Sequence, residues 1–185
     1  MNIRPATLED TEARVRVHNA SRPDNQITLE VALHSEKVRK QGLAFQRFAA
    51  EVDKEPVAFA YFSQLEWMFH PQKFDMNVLV HPDYRKRGIG SALYDTLIEH
   101  LQAYDPIKLI TFTREDWNDS IKFVEKRGFE VEFREWESRL DMTTFDPSQF
   151  SGTVEKVEAL GYKLCSLAEL STDKDALRKV YDIDV

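Results

Sequence analysis

Three consecutive cations and a pair of glycines, Arg85-Lys86-Arg87-Gly88-Ile89-Gly90, are the residues of this 185-residue chain best suited to chemistry. Glycine lets a ligand approach the backbone, and arginine and lysine attract phosphate. Apolar residues then recur at helical spacing (Ile89, Leu93, Leu97, Leu101), which puts the glycines at a helix start. The free N–H groups of a first helical turn, aided by the helix dipole, favour an anion there. A P-loop is excluded, because G-x-x-x-x-G-K-[ST] is absent. A dinucleotide fingerprint would need glycine or alanine where Leu93 stands. One carboxylate is placed to matter: Asp75 shares a strand face with Asn77 and Leu79, either as a base or as a solvated strand end.

A loop of this kind needs a strand before it. Residues 73–80 alternate, with Met76, Val78 and Val80 on one face, and His81-Pro82-Asp83 ends the strand with turn chemistry. Upstream, 43–52 and 57–65 read as strands joined by Asp53-Lys54-Glu55-Pro56, so three strands make an antiparallel meander. The chain opens with a strand over 2–5. Thr7 then caps a helix reaching about Asn19, with Asp10 near its first turn, and Thr28 caps a second to about Lys40. Downstream the pattern predicts a strand over 109–113 and a helix over 118–127 stopped by Gly128. A strand over 129–140 follows, with a bulge at Trp136 where the apolar parity changes. The tail reads as a linker at 145–148, a helix over 152–160 stopped by Gly161, a strand over 162–167 and a helix from Ser171 or Thr172 to about Tyr181. Trp67-Met68-Phe69-His70-Pro71 is aromatic for a connection. It is either a loop folded on the core or a wall of an acceptor pocket.

These motifs resemble the GNAT acyltransferase superfamily. Its signature Arg/Gln-x-x-Gly-x-Gly/Ala is matched by Arg85 to Gly90 behind Val80-His81-Pro82. The opening Ile3-Arg4-Pro5-Ala6-Thr7, with Asp10, is similar to the family's first strand and helix, and Asn118-x-Ser120-x-x-Phe123 through Gly128-Phe129 resembles its second signature. The likeness covers about residues 2–140 and implies an α/β fold of α+β type: a mixed, mostly antiparallel central sheet flanked by helices. It further implies an acyl-CoA site at Leu79, Val80, Arg85, Lys86, Arg87, Gly88, Ile89, Gly90 and Ser91. Asn118 corresponds to the asparagine that binds the pantetheine arm, though it can equally cap its helix. Asp75 falls where the family often has a glutamate base. The family's tyrosine, the acid for the departing thiolate, is replaced by Val124.

Composition narrows the remaining classes. A net charge of −7, from 25 basic and 32 acidic residues, argues against nucleic acid as the partner. The single Cys165 excludes an internal disulfide and a cysteine zinc site, and the five histidines lack ligand spacing, so no metal is expected. With no signal peptide and no long apolar run, the expected location is the cytoplasm, without membrane attachment. The expected organisation is an acyl-CoA-binding domain over 1–145 and an extension over 146–185, whose strand either closes this domain's sheet or begins a second GNAT half. The expected function is transfer of an acetyl group from acetyl-CoA to a small-molecule or peptide amine, directly, with a homodimer left open. The alternatives are a non-catalytic acyl-CoA-binding or structural module and, less well supported by Leu93 and the meander, a dinucleotide-binding protein.

Overall fold

The alternating stretches build the sheet. In the computed structural model, which describes residues 1–66 and 69–184, β1 (Asn2–Pro5), β2 (Phe45–Val52), β3 (Glu55–Gln64), β4 (Lys73–Val80) and β5 (Lys108–Ile110) lie side by side in chain order. β1 to β4 are antiparallel neighbours, and β5 joins β4 in parallel. The β2–β3 hairpin turns tighter than expected. Asp53 and Lys54 alone make the bend, both at positive φ (52° and 70°), while Glu55 and Pro56 already belong to β3. Two positive-φ residues give the turn whose twist matches flanking strands. The ladder shifts register between Ala50 and Glu51.

Each face of the sheet carries its own core. On one face Phe48, Ala58, Ala60, Phe62, Phe74 and Met76 pack against Ile89, Leu93, Leu97 and Leu101 of α3 (Ile89–Leu101). That four-residue spacing is one helix face, and all four leucine and isoleucine side chains are buried. On the other face Ala49 and Phe59 meet Val17 of α1 (Thr11–Ser21). A 3₁₀ turn, Leu8–Asp10, precedes α1, because the Asp10 carboxylate accepts the Thr7 N–H at 2.7 Å and the Thr11 hydroxyl donates back to the Leu8 carbonyl at 2.6 Å. α2 (Leu29–Val38) starts as read, with the Val31 N–H donated to the Thr28 hydroxyl at 3.2 Å. α4 (Asn118–Glu125) ends two residues earlier than the sequence pattern predicts.

Several expectations need correction. The strand expected over 129–140, with its bulge at Trp136, is not formed; nor is the strand over 162–167. Alternation specifies an apolar side but not the neighbour that supplies hydrogen bonds, and strand propensity follows that context. Val131 and Trp136 are accordingly exposed. β5 is three residues rather than five. Among the described residues, Met1–Glu130 form one compact unit and Val131–Val185 another. The second unit contains α5 (Thr153–Ala159) and α6 (Ala176–Asp184). α6 starts later than predicted because the Asp173 carboxylate captures the Asp175 N–H at 2.9 Å and the Lys179 ammonium at 2.7 Å, holding a turn in place of a first helical turn. The aromatic connection falls partly at Trp67 and Met68, outside the described residues.

Candidate active site

Parallel pairing between β4 and β5 lasts for three rungs, Lys73↔Lys108, Phe74↔Leu109 and Asp75↔Ile110. Beyond the last rung the strands part. Residues 76–80 and 111–113 then line opposite sides of a cavity of about 660 Å³. The sheet continues on the other side of β4, so the parted edge offers backbone N–H and C=O groups to an extended ligand.

The start of α3 closes one end of this cavity. Gly88 holds the N-cap position at φ 83°, a conformation that a side chain would strain although no atom stands within 4 Å of its missing Cβ. A Cβ on Gly90 would lie 3.4 Å from the Phe123 ring and 3.6 Å from a Val80 methyl, so the helix start is seated closely between β4 and α4. The three cations diverge. Arg85 Nε donates to the Val80 carbonyl at 3.1 Å, which ties the loop to the strand end. Lys86, at φ 61°, reaches Asp119 of α4 at 2.6 Å and holds that carboxyl below the usual range. Arg87 turns back to donate to the Asp83 carbonyl at 2.8 Å, with its guanidinium 5.0 Å from the Tyr84 ring centre.

Of the residues expected from the sequence, Leu79, Val80, Arg85 and Lys86 line the cavity, together with 88–91 and Asn118. Arg87 and Asp75 do not. Trp117 takes the N-cap position of α4, so Asn118 is its first helical residue rather than its cap, and it lies on the cavity wall. Val124 also faces the cavity, leaving an aliphatic group where a proton donor was sought.

Asp75 is half-buried rather than a solvated strand end. Burial pushes its carboxyl pKa up, and the neighbouring Tyr61 hydroxyl partly opposes that rise. The Tyr61 hydroxyl is in turn pushed up to about 12, by burial first and then by the charge of Asp75. Tyr61 stands opposite Asn77 in the β3–β4 register, on the Asp75 face, and the sequence reading did not single it out.

Two further groups were missed. The end of α1 brings Ser21, whose hydroxyl donates to the Val80 carbonyl at 3.2 Å, and Arg22, whose buried Nε has no partner among the described residues. Both line the cavity, and the Arg22 guanidinium lies 5.4 Å from the Trp117 ring centre. Arg127 braces the helix start, donating to the Ser91 hydroxyl at 2.8 Å and lying 3.6 Å from the Phe123 ring centre. Nothing in the spacing of Ser21-Arg22-Pro23 marks those residues as site groups.

The profile of the acetyltransferase (GNAT) family matches residues 13–129. Solved structures with the same fold include a ribosomal-protein-alanine N-acetyltransferase from Brucella melitensis biovar Abortus 2308 (TM-score 0.60, 21% identity, covering 76% of this chain and 100% of that one). An N-acetyltransferase from Staphylococcus aureus Mu50 superposes with a TM-score of 0.61 at 21% identity, covering 71% of this chain and 84% of that one. An aminoglycoside antibiotic 6'-N-acetyltransferase from Acinetobacter haemolyticus gives 0.58 at 14% identity, with 76% and 100% covered. A search of the curated proteins gives no match. Among the described residues, no helix is long and apolar enough to cross a membrane, and no group of three or more potential metal-ligating side chains is found.

Proposed function

The chain belongs to the GNAT acetyltransferase family, and from that premise we propose that it moves an acetyl group from acetyl-CoA to the amine of a small molecule or peptide by direct transfer, in the cytoplasm. The observation that carries the reading is the continuity of one cavity from the parted β4 edge to the N-terminus of α3. Backbone N–H groups at the start of α3, with Arg85 and Lys86, would hold the donor's pyrophosphate. The exposed edge of β4 at Leu79 and Val80, with Asn118 across the cleft, would align the pantetheine arm. We assign the acyl-CoA-binding domain to 1–145 and treat 146–185 as an extension.

The amine nitrogen attacks the thioester carbon, the carbon–sulfur bond breaks, and the thiolate leaves. Asp75 takes the amine proton through a water, since its side chain stands just outside the cavity wall. A basic amine near pKa ~10.4 costs about 4.6 kcal/mol to deprotonate at pH 7, against roughly 2 kcal/mol for a thiol near ~8.5 to leave as thiolate. Removing the proton is therefore the larger demand, and the raised carboxyl of Asp75 suits it. The thiolate takes its proton from solvent, because Val124 has none to give.

Calorimetry with CoA, followed by thiol release from acetyl-CoA across a panel of amines, tests the proposal. Binding plus amine-dependent release is the expected result. Val124 and the position of Asp75 favour a second reading, a non-catalytic acyl-CoA-binding module. Firm CoA binding with no release for any amine would establish that reading instead.

A further inference from the structure

A second cavity, of about 290 Å³, lies beyond the end of β1, between residues 5–8, Glu36 of α2, Arg39 and the first residues of β2. Its lining carries Glu36, Arg39 and Arg47, and Arg14, which does not line the cavity, joins them through Glu36. Glu36 is 10% exposed. Its Oε1 receives Arg14 at 3.2 Å and Arg47 at 2.5 Å, and its Oε2 receives Arg39. Three positive charges against one negative leave an excess of two. Of the acids that follow the lining Thr7 and Leu8, Glu9 is exposed and Asp10 is already committed to Arg4 at 2.7 and 2.8 Å. The Phe45 ring forms an apolar floor, with the Arg39 guanidinium 3.6 Å and the Arg47 guanidinium 4.9 Å from its centre.

The excess charge is felt by the arginines themselves. Burial, then the charge of Arg47, pushes Arg14 down to about 10. Arg39 is lowered by burial and by both other arginines, and Arg47 by burial. Buried cations without full compensation are costly, and an anion entering the cavity would relieve that cost.

We propose that this cavity binds a small ligand of carboxylate chemistry carrying two negative charges, at a site separate from the acyl-donor cavity. A guanidinium fork matches a planar carboxylate, and Phe45 suits an aliphatic stem between two such groups. The carboxylates have two sources: the far end of the acetyl acceptor, or a separate effector. Geometry makes the first reachable. Arg47 of β2 stands opposite Tyr61 of β3, and Tyr61 shares a face with Asp75 of β4. Two strand spacings and a two-residue offset put the Arg47 and Asp75 backbones about 12 Å apart. That is the span of between three and four extended residues. The link to the acceptor rests on the acetyl-transfer reading; the site itself does not.

The test titrates the full chain with succinate at fixed ionic strength, with uncharged succinamide as control. One succinate is expected to bind per chain, and succinamide not at all. Arg39→Gln, at the half-exposed rim of the cavity, is expected to weaken succinate at least tenfold while CoA affinity stays unchanged. Arg47→Lys, which keeps the charge and loses the fork, is expected to weaken it as well. Equal heats from succinate and succinamide, no binding at millimolar concentration, or full affinity in both variants overturns the proposal. Acetyl transfer then separates the sources. If the acceptor fills the site, a tripeptide ending in two carboxylates has at least a tenfold lower KM than its amidated form, and Arg39→Gln erases the difference. If an effector fills it, succinate shifts the KM of the amidated peptide. A chain that binds succinate but transfers to no amine retains the site and loses only the acceptor link.

Discussion

Asp75 faces Ile110 at the last rung of the parallel β4–β5 ladder, the point from which the two strands part. Ile110 is buried and Asp75 half-buried, so the cleft opens from an apolar hinge that carries one carboxylate. That position explains both the raised pKa of Asp75 and its place just behind the cavity wall.

The proposed donor site is tested at its glycine. Gly90 already sits at contact distance from Phe123 and Val80, so Gly90→Val pushes a branched side chain into the helix seat. CoA affinity is expected to fall by at least tenfold. Arg85→Ala is expected to weaken CoA less, and by an amount that shrinks as salt rises. Calorimetry at two ionic strengths reads both effects; unchanged affinity in Gly90→Val rules the loop out as the binding site.

For catalysis, Asp75→Asn is expected to lower transfer to a basic amine by roughly 10²-fold, within the usual range for a lost general base. CoA affinity should hold. The loss should shrink as pH rises, since more of the amine becomes neutral unaided. A pH–rate profile identical to that of the parent makes Asp75 a bystander.

The same substitution carries a stability prediction with its own sign. A carboxyl whose folded pKa is raised above the unfolded value favours folding fully only below about pH 3.9, and that contribution is lost as pH rises through the folded pKa. Asp75→Asn is therefore expected to raise Tm at pH 7 and to leave it nearly unchanged near pH 3. Thermal melts at the two pH values decide it, and a lower Tm at pH 7 contradicts the assignment.

Asp10 behaves in the opposite sense. The Arg4 guanidinium, ahead of the Thr7 N–H, holds its carboxyl below the usual range, so its contribution is present above about pH 3.9 and lost as pH falls through the lowered value. Asp10→Asn removes charge-assisted bonds from a nearly buried group and is expected to cost about 2 kcal/mol at pH 7. That corresponds to ~4–8 °C in Tm for a chain of this size. A melt at pH 7 within a degree of the parent shows the pair to be dispensable.

Val124→Tyr should restore a proton donor beside the leaving thiolate. Transfer is expected to rise by up to about tenfold, with CoA affinity unchanged. Steady-state rates with a fixed amine test this; a rate that does not move places the thiolate away from Val124.

Local information carried the proposed donor half of the site. The run from Arg85 to Gly90, with the Ile89–Leu101 periodicity behind it, specifies a glycine N-cap and a buried helix face through contacts a few residues apart. The same holds for β4, whose bounds the alternation marks residue for residue. The other half depends on distant meetings. The tertiary structure alone decided that β4 and β5 part after Asp75, that Arg22 enters the cavity, and that Tyr61 neighbours Asp75. It also gathered Arg14, Arg39 and Arg47, from three separate segments, onto Glu36. At 129–140 the alternation was present but no strand formed, because a strand's hydrogen bonds are satisfied by a neighbour that its own residues do not name.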